Sequence, residues 1–305
     1  MTEERPYVQT YTPVAGSLAC NARCPYCVSK MTPHLFSILS EKTRDQGVKL
    51  KLPEVNWRNF DLGAKLARQW GAATALITSK GEATLFPEQL TEFMEHLQKH
   101  EFPMVELQTN GIKLAEDSYD SHLKDWYDRG LTIMALSMAH YDALKNKEIY
   151  EPHNDHILDL AGLIDKLHKH KFSIRLSCMM AKNYIDCLEE VINLVDFAKA
   201  LGVEQLTARS IQKPSKSENK EVAEWTENHM MPQETIDQLR EFFDKEGTRL
   251  RELVHGAIVY DYKGQNVCLS NCLTIDPKDK SIRQLIFFPD GHVRYDWQHE
   301  GAVLF

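Results

Sequence analysis

The chain has 305 residues, 43% of them hydrophobic and 26% charged, the balance of an ordinary globular protein. Its formal net charge of −8 gives no general attraction to duplex nucleic acid or to an anionic membrane, although it leaves room for a local basic patch. No apolar run approaches bilayer-spanning length, no apolar signal region follows Met1, and the seven cysteines are clustered, so a cytoplasmic protein with metal-binding cysteines is expected in place of a secreted disulfide framework.

Residues 1–12 read as a polar arm carrying Tyr7 and Tyr11, and residues 12–19 as a short apolar strand. That strand delivers the chain into Cys20-Asn21-Ala22-Arg23-Cys24-Pro25-Tyr26-Cys27, a C-x3-C-x2-C loop. Thiolates so close together suit a soft metal centre better than a packed core. A closed structural zinc site takes four protein ligands and a cubane iron–sulfur cluster normally four thiolates. The local set stops at three, with no further Cys or His before His34, so three ligands on a four-iron cluster would leave one iron open.

Residues 28–52 are mixed and read as a short irregular helix and a loop. Beyond them the pattern repeats. Residues 56–70 carry apolar side chains at helical spacing and stop at Gly71; 72–78 form a continuous apolar run, as in a strand buried on both faces. Pro87 opens a helix to about residue 100, and 105–108 are a strand. Residues 119–128 form a helix stopped by Gly130, and 131–137 a strand. Residues 155–169 form a helix and 172–180 a strand; 185–201 form a helix stopped by Gly202, and 205–210 a strand. Strand then helix, six times, predicts an α/β fold with a parallel sheet and functional residues at the carboxyl ends of its strands. Residues 213–231 read as a polar linker and 232–245 as a helix that 248–255 extend or follow. Residues 256–262 are strand-like, and Asp290-Gly291 between apolar strands signals a hairpin.

The strand ends carry polar residues with more than one reading. Lys80-Gly81-Glu82 follows the second strand, either as a turn or as an acceptor for an ammonium group. Thr109-Asn110-Gly111 follows the third and is also a turn pair. Ser137 ends the fourth, as a cap or a ligand. Arg175 lies inside the apolar fifth strand and needs an anionic partner, in the protein or in a ligand; Ser177 follows it. Arg209, on the sixth strand, points to anionic chemistry or a surface pair. His140, Tyr141, His153 and His156 either line a pocket or are solvated, and Cys178 is a candidate hydrogen-atom relay.

Taken in order, these motifs resemble the radical S-adenosylmethionine (radical SAM) superfamily over roughly residues 13–212. The cysteine loop resembles that family's cluster loop, including Tyr26 before the last Cys. The resemblance implies a partial (β/α)6 barrel of parallel strands over residues 1–212, with Cys20, Cys24 and Cys27 holding a [4Fe-4S] cluster and SAM chelating the open iron. The Gly81-Glu82 segment resembles the family's Gly-Gly-Glu-Pro, with Lys80 in place of the first Gly and Ala83 in place of the Pro. By the same resemblance Tyr26, Gly81, Glu82, Asn110, Ser137, Arg175, Ser177 and Arg209 would contact SAM, Arg175 through its carboxylate. Ser177 stands where many relatives have Asn. The implied activity is reductive cleavage of SAM to a 5′-deoxyadenosyl radical that takes hydrogen from a peptide or small metabolite, in an oxygen-sensitive enzyme supplied by an external donor such as flavodoxin or ferredoxin. Residues 232–305 resemble a degenerate SPASM or twitch-type α+β extension, with Cys268, Cys272 and Asp296 as a possible auxiliary cluster site. The chain lacks the paired C-terminal glycines of the molybdopterin-precursor cyclase. Two other classes stay open at this point: a non-catalytic zinc or iron–sulfur protein, and a thiol redox enzyme using Cys24 and Cys27.

Overall fold

The computed structural model describes residues 6–32, 52, 54–151, 157–253, 256–271 and 281–305. His34, His153, His156 and Cys272 lie outside the described residues. Strand β1 (Val8–Ala15) begins and ends four residues earlier than expected, because Gly16 turns the chain at φ +72° and the cysteine loop has no strand pairing. Helix α1 (Val28–Met31) follows that loop directly, with Cys27 at its N-cap.

The repeating units then come in the expected order, with one helix, Ala143–Tyr150, that the sequence reading did not place. Helix α2 (Trp57–Gln69) leads to β2 (Thr74–Ser79), α3 (Pro87–Gln98) to β3 (Met104–Thr109), and α4 (Asp120–Asp128) to β4 (Ile133–Met138). Helices α5 (Ala143–Tyr150) and α6 (Leu160–Lys169) precede β5 (Ser173–Met180), and α7 (Leu188–Ala200) precedes β6 (Gln205–Ser210). The side chains of Asn56, Asp142 and Asp159 cap α2, α5 and α6 by accepting from backbone N–H groups of the first turn. Gly71, Gly130 and Gly202 lie at positive φ where the sequence places the stops.

One reading of the C-terminal third is corrected and one is resolved. Residues expected to form a polar linker include helix α8 (Lys220–His229), capped by Asn219 and burying Val222, Ala223 and Thr226. Residues 248–252, expected to extend or follow helix α9 (Gln233–Glu246), follow it as strand β7 (Thr248–Glu252). Every side chain of β7 is exposed, so no apolar periodicity marks it. Strands β8 (Ile258–Tyr262), β9 (Gln265–Asn271), β10 (Ile282–Phe287) and β11 (Val293–Arg294) complete the described elements.

All these strands lie in one sheet, ordered β11-β10-β1-β2-β3-β4-β5-β6-β9-β8-β7. From β10 to β9 every neighbouring pair is parallel. The six strands of the repeating units therefore form the middle of an open parallel sheet, and the tail adds one parallel strand to each edge. The result is a partial barrel with a strand-rich C-terminal extension. Side chains alternate across the sheet. One set, including Tyr11, Ile77, Leu107, Leu136, Leu176 and Leu206, packs with helix residues such as Phe60, Phe93, Trp126 and Leu194 in the main core. The alternate set, including Glu106, Gln108, Ser137, Arg175, Ser177, Thr207 and Arg209, is largely polar and faces away from that core. No helix among the described residues is long and apolar enough to cross a membrane.

Candidate functional site

The cysteine loop lies across the carboxyl ends of β1 and β2 and is tied there by backbone. Glu82 N–H donates to the Ala19 carbonyl at 2.9 Å, and Gly16 N–H donates to Gln89 Oε1 at 2.6 Å. Gly81 permits this approach, since a Cβ there would lie 2.0 Å from the Ala19 oxygen. Cys20, Cys24 and Cys27 are free thiols, each partly exposed. Ala22 N–H donates to Cys20 Sγ at 3.4 Å, and Cys27 N–H to the Cys24 carbonyl at 3.3 Å. Burial, then the neighbouring thiols of Cys27 and Cys20, push the Cys24 thiol well above its ordinary range. A bound cationic centre would reverse that shift at Cys24.

Among the described residues no three His, Cys, Asp or Glu side chains converge as the donors of one ion would. Cluster thiolates bind separate irons and need not converge. The donor set, three soft thiols on one loop, fits an iron–sulfur cluster, and no described residue gives a closed zinc site its fourth ligand.

Glu82, 3% exposed, links two strand ends. Its Oε1 accepts from Thr84 N–H at 3.0 Å, Thr84 Oγ1 at 2.7 Å and Thr109 Oγ1 at 2.6 Å; its Oε2 accepts from Asn110 N–H at 2.9 Å. Asn110 completes the brace, its Nδ2 donating to Asn21 Oδ1 in the cysteine loop at 2.7 Å. The Nδ2 of Asn21 is itself buried without a partner. Gly81, Glu82 and Asn110 are therefore gathered against the cysteines. Tyr26 is there too, buried with Tyr150, burial raising both phenols well above 10. Its ring lies 6.1 Å from that of Trp225, which stacks on His229 at 3.8 Å.

Lys80 is 5% exposed and donates to Thr32 Oγ1 at 2.5 Å, with its ammonium 5.9 Å from the Trp297 ring centroid. Burial pushes it down to about 8, against the charges of Cys27 and Glu218.

The remaining expected residues lie on the polar face of the sheet. Ser137, Ser177, Thr207 and Cys268 share one register across β4, β5, β6 and β9. Arg175 lies two residues below Ser177 and is paired with the buried carboxylate of Glu106, over the small side chain of Ala135. The anionic partner demanded by a guanidinium in an apolar strand is thus supplied, among the described residues, by Glu106 on β3. Arg209 lies two residues above Thr207.

Two further readings change. Cys178 faces the helix-packed core, fully buried, with its thiol 3.7 Å from the Ala139 carbonyl. His140 is 1% exposed; its Nδ1 accepts from Asp142 N–H at 2.9 Å, and burial lowers its pKa. Tyr141 donates to Glu190 at 2.5 Å. These two side chains hold α5 and α7 to the sheet and do not reach the polar face. Asp296 accepts from the N–H groups of Gln298 and His299 at 2.6 and 2.9 Å, capping a turn; Cys272, expected beside it and Cys268 at an auxiliary site, lies outside the described residues. Sequence reasoning missed Asn21, Lys80, Tyr150 and Trp225. Only Trp225 had a local signal, in the Asn219 cap and the helical spacing of Val222, Ala223 and Thr226.

Solved structures share this architecture. SuiB from Streptococcus suis aligns with 95% of this chain and 60% of its own, at 11% identity and a TM-score of 0.56. Methylornithine synthase PylB aligns with 90% of this chain and 74% of its own, at 12% identity and a TM-score of 0.52. SuiB bound to S-adenosylmethionine aligns with 79% of this chain and 44% of its own, at 14% identity and a TM-score of 0.50. The chain shares the fold of these solved structures. It spans 44% and 60% of the length of the two SuiB structures. No family model and no curated protein matches the chain. Within this fold the cysteine loop, Glu82 and Asn110 stand together at one rim of the sheet, above the polar face that carries Ser137, Ser177 and Arg209.

Proposed function

We propose that the chain is a radical SAM enzyme in which Cys20, Cys24 and Cys27 hold a [4Fe-4S] cluster and SAM lies along the adjoining rim. The observation that carries this reading is the brace from Ala19 and Asn21 to Glu82 and Asn110, which fixes a three-thiol loop against the strand ends. The cluster would supply an electron to the SAM sulfonium, releasing methionine and a 5′-deoxyadenosyl radical; that chemistry belongs to the cofactors.

The protein's part is positioning. Gly81 lets the two loops meet without a side chain between them. Among the described residues Glu82 Oε2 has one donor, Asn110 N–H, and keeps a lone pair for the SAM ammonium. Ser137, on the polar face one register from β3's end, offers a hydroxyl to the nucleoside. Tyr26, Tyr150 and Trp225 wall the loop with buried aromatic surface and exclude water from it. The substrate, a peptide or small metabolite, would enter over the polar face, and an external flavodoxin or ferredoxin would supply electrons in a cytoplasmic setting.

Anaerobic reconstitution with iron and sulfide tests the reading. Four irons per chain and 5′-deoxyadenosine from SAM under a chemical reductant are expected. A colourless protein holding stoichiometric zinc would falsify it.

A further inference from the structure

The polar face holds a charge that the cluster chemistry does not use. Along β5, β6 and β9 the side chains of Ser177, Thr207 and Cys268 form one rung, with Arg175 below it and Arg209 above it. Their sequence neighbours Leu176, Cys178, Leu206, Ala208, Val267 and Leu269 all belong to the helix-packed core, so the rung and both arginines turn to the opposite side. The two guanidiniums reach toward the same place. Arg209 acts on Arg175 as a like charge, and both pull down the Cys268 thiol that burial raises.

The two are not equally satisfied. Arg175 has Glu106. Arg209 has no ion pair among the described residues, and its Nε is buried without a hydrogen-bond partner. A buried N–H in that state is costly unless a ligand supplies an acceptor. Ser177 and Thr207, each 4% exposed, present hydroxyls on the rung below, and neither bonds another described side chain. A guanidinium fork above two hydroxyls is a donor-rich site, and Glu106, the carboxylate described on this face, is already paired with Arg175.

We infer that Arg209, with Ser177 and Thr207, binds an anionic oxygen group of the substrate, a carboxylate or a phosphate. The assignment rests on the radical SAM reading only in naming that group's owner as substrate; the anion site itself does not need the cluster. It moves Arg209 and Ser177 from the cofactor to the molecule the radical attacks, and places the reacting carbon between this rung and the rim.

The test is a thermal shift of the full-length chain titrated with sodium phosphate and, separately, with sodium acetate, each against sodium chloride at matched ionic strength. One anion should raise the melting temperature saturably, and the stronger of the two names the substrate class. Arg209→Gln should abolish that rise, Arg209→Lys should keep a weakened one, and Arg249→Gln, on exposed β7, should leave it whole. No rise with either anion overturns the inference, as does a rise that persists in Arg209→Gln. A folded Arg209→Lys protein with a full response also overturns it, because the fork would then be irrelevant. Failure of the wild-type chain to form 5′-deoxyadenosine removes the radical SAM reading and leaves the anion response standing, so the two failures are told apart.

Discussion

Lys80 is the residue where burial and charge oppose each other most directly. Its ammonium is held to about 8 by burial, below the 10.5 of a solvated lysine. The unfolded chain therefore binds more protons between those values, and stability rises as pH increases through that window. At pH 7 the ammonium stays charged and costs the fold about 3 kcal/mol. Lys80→Met should stabilise the metal-free chain by up to that amount at pH 7 and remove the rise between pH 8 and 10.5, read by denaturant unfolding. Thr32 is not orphaned, because its hydroxyl also donates to the Val28 carbonyl at 3.0 Å. Gly81 gives the opposite expectation. Gly81→Ala must separate two backbones, since its Cβ would meet Ala19 O at 2.0 Å. A loss of at least about 1–3 kcal/mol is expected, with poorer iron retention. Among the cysteines, Cys24→Ala should lose the iron–sulfur absorbance after reconstitution. Cys178→Ala should keep it, since Cys178 bonds only the Ala139 carbonyl. Equal iron content in the two variants would take the cluster away from the loop.

At the scale of elements, α8 roofs the cysteine loop. Its Trp225 packs with Tyr26, its Thr226 hydroxyl lies 3.8 Å from Met31 Sδ, and the carbonyl of His229 accepts from Lys182 N–H at 2.9 Å. Trp225→Ala should cost roughly 2 kcal/mol, below the range for a fully buried ring because Trp225 is partly exposed. It should also speed the loss of cluster absorbance in air, and an unchanged rate would show that α8 does not shield the loop. This helix was hard to read because its Asn219 cap and short apolar spacing stand inside a polar run of Ser, Asn and Lys, and only three of its side chains are buried. Strands β2 to β6 were legible for the converse reason: their apolar runs and glycine stops are local signals. At the site, the local part was readable in the same way. The C-x3-C-x2-C spacing, Gly81-Glu82 and Asn110 all stand next to strand ends that periodicity places. Arg175 was readable as a charge needing an anion, but Glu106 lies 69 residues away and only the register of β3, β4 and β5 brings it near. Lys80 and Asn21 gain their roles from loops that meet in space, which no spacing rule encodes.

At the scale of the whole molecule, the question is whether the C-terminal strands are an appendage or part of one sheet. β10 pairs with β1 from Val8–Ile282 to Pro13–Phe287, and β9 pairs with β6 from Leu206–Val267 to Ser210–Asn271. Both pairings are parallel, so the tail covers edges that a parallel sheet otherwise leaves open. It also fills the helix layer. Phe287 is fully buried with its ring 5.2 Å from Phe60, and Val293 closes against the same helix face at Gly63. A chain cut after residue 212 would expose two unpaired edges at once and empty part of the core beneath α2. It should associate or unfold without a single cooperative transition, whereas an independent six-unit barrel would remain monomeric and melt sharply. Size-exclusion chromatography with light scattering, alongside a circular-dichroism melt, separates these outcomes. The expected result also explains why the cysteine loop depends on the far end of the chain: β1, which carries it, is held on one side by β2 and on the other by β10.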